Sequence, residues 1–107
     1  ADIKAGGART FCTGALLKPA AQQTRLETAA LDGQPEWVRY GQGVETMADF
    51  CGHNGTIVGF SSEMYYLPAK DAVIVIDVNR LDADDRSYSS ELFTTLAKLL
   101  FPENVAW

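Results

Sequence analysis

The sequence predicts an α+β fold, an antiparallel sheet flanked by helices, on three observations. Residues 1–31 are rich in Ala, Gln and Leu and read as helical. Residues 36–80 switch to short runs of two-residue periodicity, broken by Gly, Pro and Asp. Residues 84–101 return to a helical period. Short strands with helices before and after, rather than strictly alternating with them, define this class.

Taken in order, Pro19 is placed to open a short helix over 20–28, since proline is tolerated at the first helical position. Gly6, Gly7 and Gly14 weaken the helical stretch before it by about 1 kcal/mol each. Asp32-Gly33-Gln34-Pro35 is a turn cluster. From Trp37 the side chains alternate as in a strand that continues to Met47, and Ala48-Asp49 turns the chain into a second strand through Phe50 and Cys51. Gly52, Gly55 and Gly59 follow within an apolar, β-branched stretch, where glycine marks a bulge or a close backbone approach. Residues 61–67 predict a further strand and 68–71 a connecting turn. The run 72–78 is apolar on both faces and predicts a central strand covered on both sides. Asp82, Asp84 and Asp85 offer an N-cap for a last helix over 86–101. Leu92, Phe93, Leu96, Leu99 and Leu100 form its apolar stripe, and Pro102 stops it.

Composition excludes several functions. Nine Lys and Arg against 14 Asp and Glu give a net charge of −5, and no basic run exists to bind a phosphate backbone. The longest apolar run, Ala72 to Ile76, is far short of the ~20 residues of a membrane helix. The opening Ala1-Asp2-Ile3-Lys4 has neither an initiator Met nor a leader pattern, so the chain reads as processed, trimmed or a fragment. Cys12 and Cys51, the two cysteines, form neither a disulfide framework nor a metal motif and read as small buried hydrophobes. No cofactor or metal is expected.

Chemistry concentrates in Gly52-His53-Asn54-Gly55-Thr56, which holds the single His between glycines. Glycine flanks leave backbone bare, as a strand lined against a substrate requires, although a lone His is more often structural. Ser61 and Ser62 follow no nucleophile-elbow pattern and read as plain strand residues. Phe60, Tyr65 and Tyr66 read as core and sheet surface rather than a stacking platform. The aspartates at 82–85 lack the Gly and distal Glu of a calcium loop, Gly41-Gln42-Gly43 lacks the third glycine of a dinucleotide fold, and Asn54-Gly55-Thr56 is only a bare glycosylation tripeptide.

The order of segments resembles the C-terminal part of the serine β-lactamase-like hydrolases: class C β-lactamases, D,D-carboxypeptidases, related esterases and other penicillin-binding-protein-like enzymes. The resemblance rests on Tyr40-Gly41-Gln42-Gly43-Val44, Gly52-His53-Asn54-Gly55-Thr56, Gly59-Phe60-Ser61-Ser62, Tyr66-Leu67-Pro68, and Ala72 to Ile76 with Asn79 after it. It covers nearly the whole chain and is loosest before Leu16. It implies that residues 1–107 are the C-terminal portion of a β-lactamase/transpeptidase-like fold, from a family whose members are often exported.

Of the family's three motifs only the last is present, as His53-Asn54-Gly55 in place of Lys-Thr-Gly. The resemblance implies that His53 supplies polarity and a proton or hydrogen bond, that Asn54 takes the Thr position and bonds substrate, and that Gly55 keeps the strand open. It implies that the backbone N–H of Thr56 is one of two oxyanion donors. No Ser in the chain has a Lys three residues on, so the nucleophile and its Lys lie elsewhere and the chain alone is expected to be inactive. The substrate class is an amide, lactam or ester, which Asn54 in the Thr position does not resolve. The competing reading is a non-catalytic module derived from that family. In the family the last strand pairs with the first strand of the N-terminal portion. Strand 72–78 and helix 86–101 are therefore expected to be left bare and to drive self-association.

Overall fold

Turn-forming residues at regular intervals between β-branched and aromatic runs fold the middle of the chain into a meander. A computed structural model describes residues 12, 13, 17–81 and 86–107. Six antiparallel strands lie side by side in chain order: β1 (Ala29–Ala30), β2 (Val38–Tyr40), β3 (Glu45–Met47), β4 (Phe50–Ile57), β5 (Phe60–Leu67) and β6 (Ala72–Val78). Helix α1 (Pro19–Leu26) precedes them and α2 (Tyr88–Leu100) follows. The α+β class and the antiparallel sheet are as expected.

The core forms where period-2 alternation of the strands meets the helical period of α2. Phe50, Tyr65, Leu67 and Ile74 point to one sheet face and close on Phe93 and Ala97 of α2. The Phe93 ring sits 4.5 Å from Tyr65 and 5.3 Å from Phe50, centroid to centroid. After Pro102 the tail folds back, and the Trp107 indole donates to the Thr94 carbonyl at 3.0 Å while packing 4.9 Å from Trp37. On the other sheet face Cys12 packs with Tyr66, Cys51, Met64 and Val73.

Several expectations are corrected. The strand drawn from 37 to 47 is two strands, β2 and β3, because residues 41–44 close a tight turn through a Gly41 N–H to Val44 carbonyl bond of 2.8 Å. Helix α1 ends at Leu26, two residues early, and the short β1 was not foreseen. Cys12 and Cys51 are not free thiols: a disulfide joins them, with Cα atoms 6.0 Å apart. Their separation of 39 residues hides a pairing that only the fold creates.

The position of β6 also differs. It lies at the sheet edge among the described residues, not at the centre. Its apolar character on both faces records covering by α2 on one side, over Ile74 and Ile76, and by the Cys12 cluster beside Val73 on the other. The cap of α2 is Ser87, whose hydroxyl accepts from the Ser90 N–H, and not an aspartate. Asp82, Asp84 and Asp85 lie outside the described residues, as does the glycine-bearing stretch before Cys12. Of the predicted helix stripe only Phe93 is buried. Leu92, Leu96, Leu99 and Leu100 are exposed, and so is Phe60 at the β4–β5 turn.

Candidate active-site wall

His53, Asn54, Gly55 and Thr56 occupy consecutive positions on β4. Their backbone directions follow from the hairpin. Ile57 and Phe60 flank the two-residue Val58-Gly59 turn, where Gly59 takes φ +81°. A pair closing such a turn exchanges both backbone hydrogen bonds, and antiparallel pairs then alternate. Gly55 and His53 therefore direct N–H and C=O towards β5, while Asn54 and Thr56 direct theirs away from it.

On that outer side β3 pairs with β4 only as far as Gly52, opposite Glu45. Among the described residues no strand pairs with β4 beyond that point. The Asn54 and Thr56 backbone groups thus face an open strand edge, and both side chains are exposed. Gly52 is the close approach that the sequence signalled. A Cβ there would lie 1.9 Å from the Met64 carbonyl oxygen and 2.8 Å from the Tyr65 Cα. At Gly55 a Cβ would meet only the Ser62 hydroxyl, at 3.1 Å.

His53 is held from two directions. Its Nε2 is 2.7 Å from the Tyr40 hydroxyl, with the two rings edge to face, and its Nδ1 contacts the Asn54 carbonyl. A carbonyl only accepts, so Nδ1 carries a proton, and in the neutral ring Nε2 then accepts from the Tyr40 hydroxyl. Two open clefts adjoin the strand. One, of about 250 Å³, is bounded by His53, Asn54, Ser62, Met64 and Asp77. The other, of about 340 Å³, lies against Gly55, Thr56, Ile57 and Phe60.

Behind the wall is a buried acidic cluster that the motif reading passed over. The Tyr65 hydroxyl donates to Glu45 at 2.8 Å. Glu63, the cross-strand partner of Asn54, accepts from the Ser90 hydroxyl and from Ser89 at 3.4 Å, at the start of α2. Burial pushes the Glu63 carboxyl above the ordinary carboxylate range, and nearby Glu45 adds to this against the lowering effect of the serine bonds. Burial and Glu45 likewise push the Tyr65 phenol up. The signal was in the sequence: period 2 puts Glu63 on the face of Tyr65 and Leu67. Tyr40, thirteen residues before His53, carried no local signal of its contact.

No known family model matches the chain, and no curated protein matches it.

Proposed function

We propose that this chain forms one wall of the acyl-transfer site of a β-lactamase-related serine hydrolase acting on an amide, lactam or ester. The observation that supports this reading is the open β4 edge, on which Thr56 presents a backbone N–H two residues beyond Asn54 and three beyond a hydrogen-bonded His53. In this reading the Thr56 N–H is one oxyanion donor, and Asn54 bonds substrate beside it. Gly55 leaves the edge free of a side chain, and His53, fixed by Tyr40, supplies a polar group or proton. The second oxyanion donor and the nucleophile come from outside the chain. Losing one such donor costs about 10²–10³ in rate.

A fluorophosphonate probe tests this. The chain alone should remain unlabelled, and a longer encoded protein containing it should label on a Ser-x-x-Lys serine upstream of Ala1. Labelling of the isolated chain, or a longer protein without that motif, overturns the reading. A second reading, a non-catalytic interaction module of the same ancestry, is favoured by the exposed leucines of α2. Both readings carry self-association through strand 72–78 and helix 86–101.

A further inference from the structure

The β6 edge and one flank of α2 lie on the same side of the molecule. Around a helix of about 100° per residue, Phe93 and Ala97 face the sheet. Thr94 lies to one side, where Trp107 bonds its carbonyl and packs on Trp37 just ahead of β2. Leu92, Leu96 and Leu99 fall on the opposite flank, which is the β6 side, with Leu100 at its end. They are 48, 36, 75 and 57 % exposed, in that order. Among the described residues of the helix no charged side chain falls between Leu92 and Leu99 on this flank; at its start Arg80 and Arg86 lie over the Tyr88 ring.

The strand edge beneath it has a defined polarity. The hairpin alternation that turns Gly55 towards β5 turns Ser62, Met64 and Tyr66 towards β4, and Ser61, Glu63, Tyr65 and Leu67 towards β6. Their partners Ala72, Ile74, Ile76 and Val78 face inward. The backbone groups of Val73 and Val75 therefore face outward, where no strand lies among the described residues.

We propose that two copies of this chain join antiparallel through β6 about a two-fold axis at Val75, and that their α2 leucine flanks pack across the seam. This register pairs all seven residues of β6 with outward-facing groups opposite each other. It sets Ile74 against Ile76 of the partner subunit, a β-branched cross-strand pair. It sets Asp77 against Val73 of the partner subunit, so no like charges meet in a chain of net charge −5. The contact is isologous, as a closed dimer requires. A strand edge alone is a small interface, and the leucine flanks extend it towards the ~800 Å² per partner of specific complexes. The proposal deepens the self-association that both readings above carry and concerns the chain by itself, since in the hydrolase reading a strand from outside the chain takes this edge. The fluorophosphonate test of that reading is separate from the test below.

Sedimentation velocity across a concentration series, with the disulfide intact, should give a species of twice the 11.6 kDa chain mass. Leu99→Asp, at an exposed position, should weaken the dimer by about tenfold or more. Val75→Pro, which removes an outward N–H and fixes the backbone φ at that position, should abolish it. Val75→Cys should cross-link to itself through a short bis-maleimide. A monomer at every concentration overturns the proposal, as does a dimer untouched by Leu99→Asp or one that Val75→Cys does not capture. Because Leu99→Asp leaves the core intact, the test survives misfolding of the proline variant.

Discussion

The Tyr40 hydroxyl lies 2.7 Å from Nε2 of His53, across the corner where β3 stops pairing with β4 and β4 runs on paired only with β5 among the described residues. With Nδ1 donating to the Asn54 carbonyl, the pair fixes both the tautomer and the orientation of the only imidazole in the chain. Long-range ¹⁵N–¹H spectra of the neutral ring should show the Nδ1–H form. Tyr40→Phe should give mixed tautomers while costing about 1 kcal/mol of stability. An Nε2–H ring in the wild type would sink this assignment. In a longer hydrolase containing the chain, His53→Ala should slow acylation by about 10²–10⁴ with unchanged circular dichroism. Equal loss of folded protein would make His53 structural.

The disulfide ties Cys12 to β4 two residues before His53. Closing a loop between residues 39 apart stabilises by about 3–4 kcal/mol in the chain-entropy account. Thiol titration of the unreduced, denatured protein should find no free thiol. Reduction, or Cys51→Ser, should lower the unfolding free energy by that amount. A disulfide of this kind persists in an oxidising compartment.

Glu63 sets an unusual pH dependence. Its folded-state pKa is raised above the ordinary value, so the folded protein holds this proton more tightly than the unfolded chain. The stability it contributes is complete below the unfolded carboxylate range and is lost as pH rises through the folded value. That is opposite to the behaviour of a salt-bridged carboxylate. Glu63→Gln should flatten this loss and should be the more stable form at neutral pH. Urea titrations across the range check it, and a wild type whose excess loss persists in Glu63→Gln would remove Glu63 as the cause.

Gly52 carries a steric constraint rather than a conformational one. A methyl group there would overlap the Met64 carbonyl and the Tyr65 backbone, neither of which can move without breaking β4 from β5. Gly52→Ala should cost about 3 kcal/mol or more, at the upper end of overpacking effects. Gly55→Ala, meeting only a serine hydroxyl, should be mild. Chemical denaturation of the two variants side by side decides the matter.

The meander was legible because its signals are local. Pro68 to Asp71 and Ala48-Asp49 are turns by composition, and alternation between them places Tyr65 and Leu67 opposite Tyr66. Gly59, read as a bulge or close approach, instead forms the β4–β5 turn with Val58. The stretch 37–47 misled because Gly41 and Gly43 sit within an otherwise regular alternation, and alternation cannot tell one strand from two joined by a turn. The His53-Asn54-Gly55 segment was legible as a strand. Its partners were not, since Tyr40 reaches His53 only after β2 and β3 have folded back.

What the sequence determined by itself is therefore the class, the turns at 48–49 and 68–71 and the strand bearing the candidate wall, all governed by near-neighbour sterics and side-chain period. Tertiary structure decided which cysteines meet, which end of β4 stays open, and that β6 lies at an edge. It also decided that Glu63 is buried and that only Phe93 of the helix stripe reaches the core. Each depends on contacts between residues distant in the chain, where hydrophobic period says that a face is covered but not by what. Leu99 and Phe93 are alike as apolar positions on one helix. Only packing against Phe50 and Tyr65 separates the buried one from the one left in water.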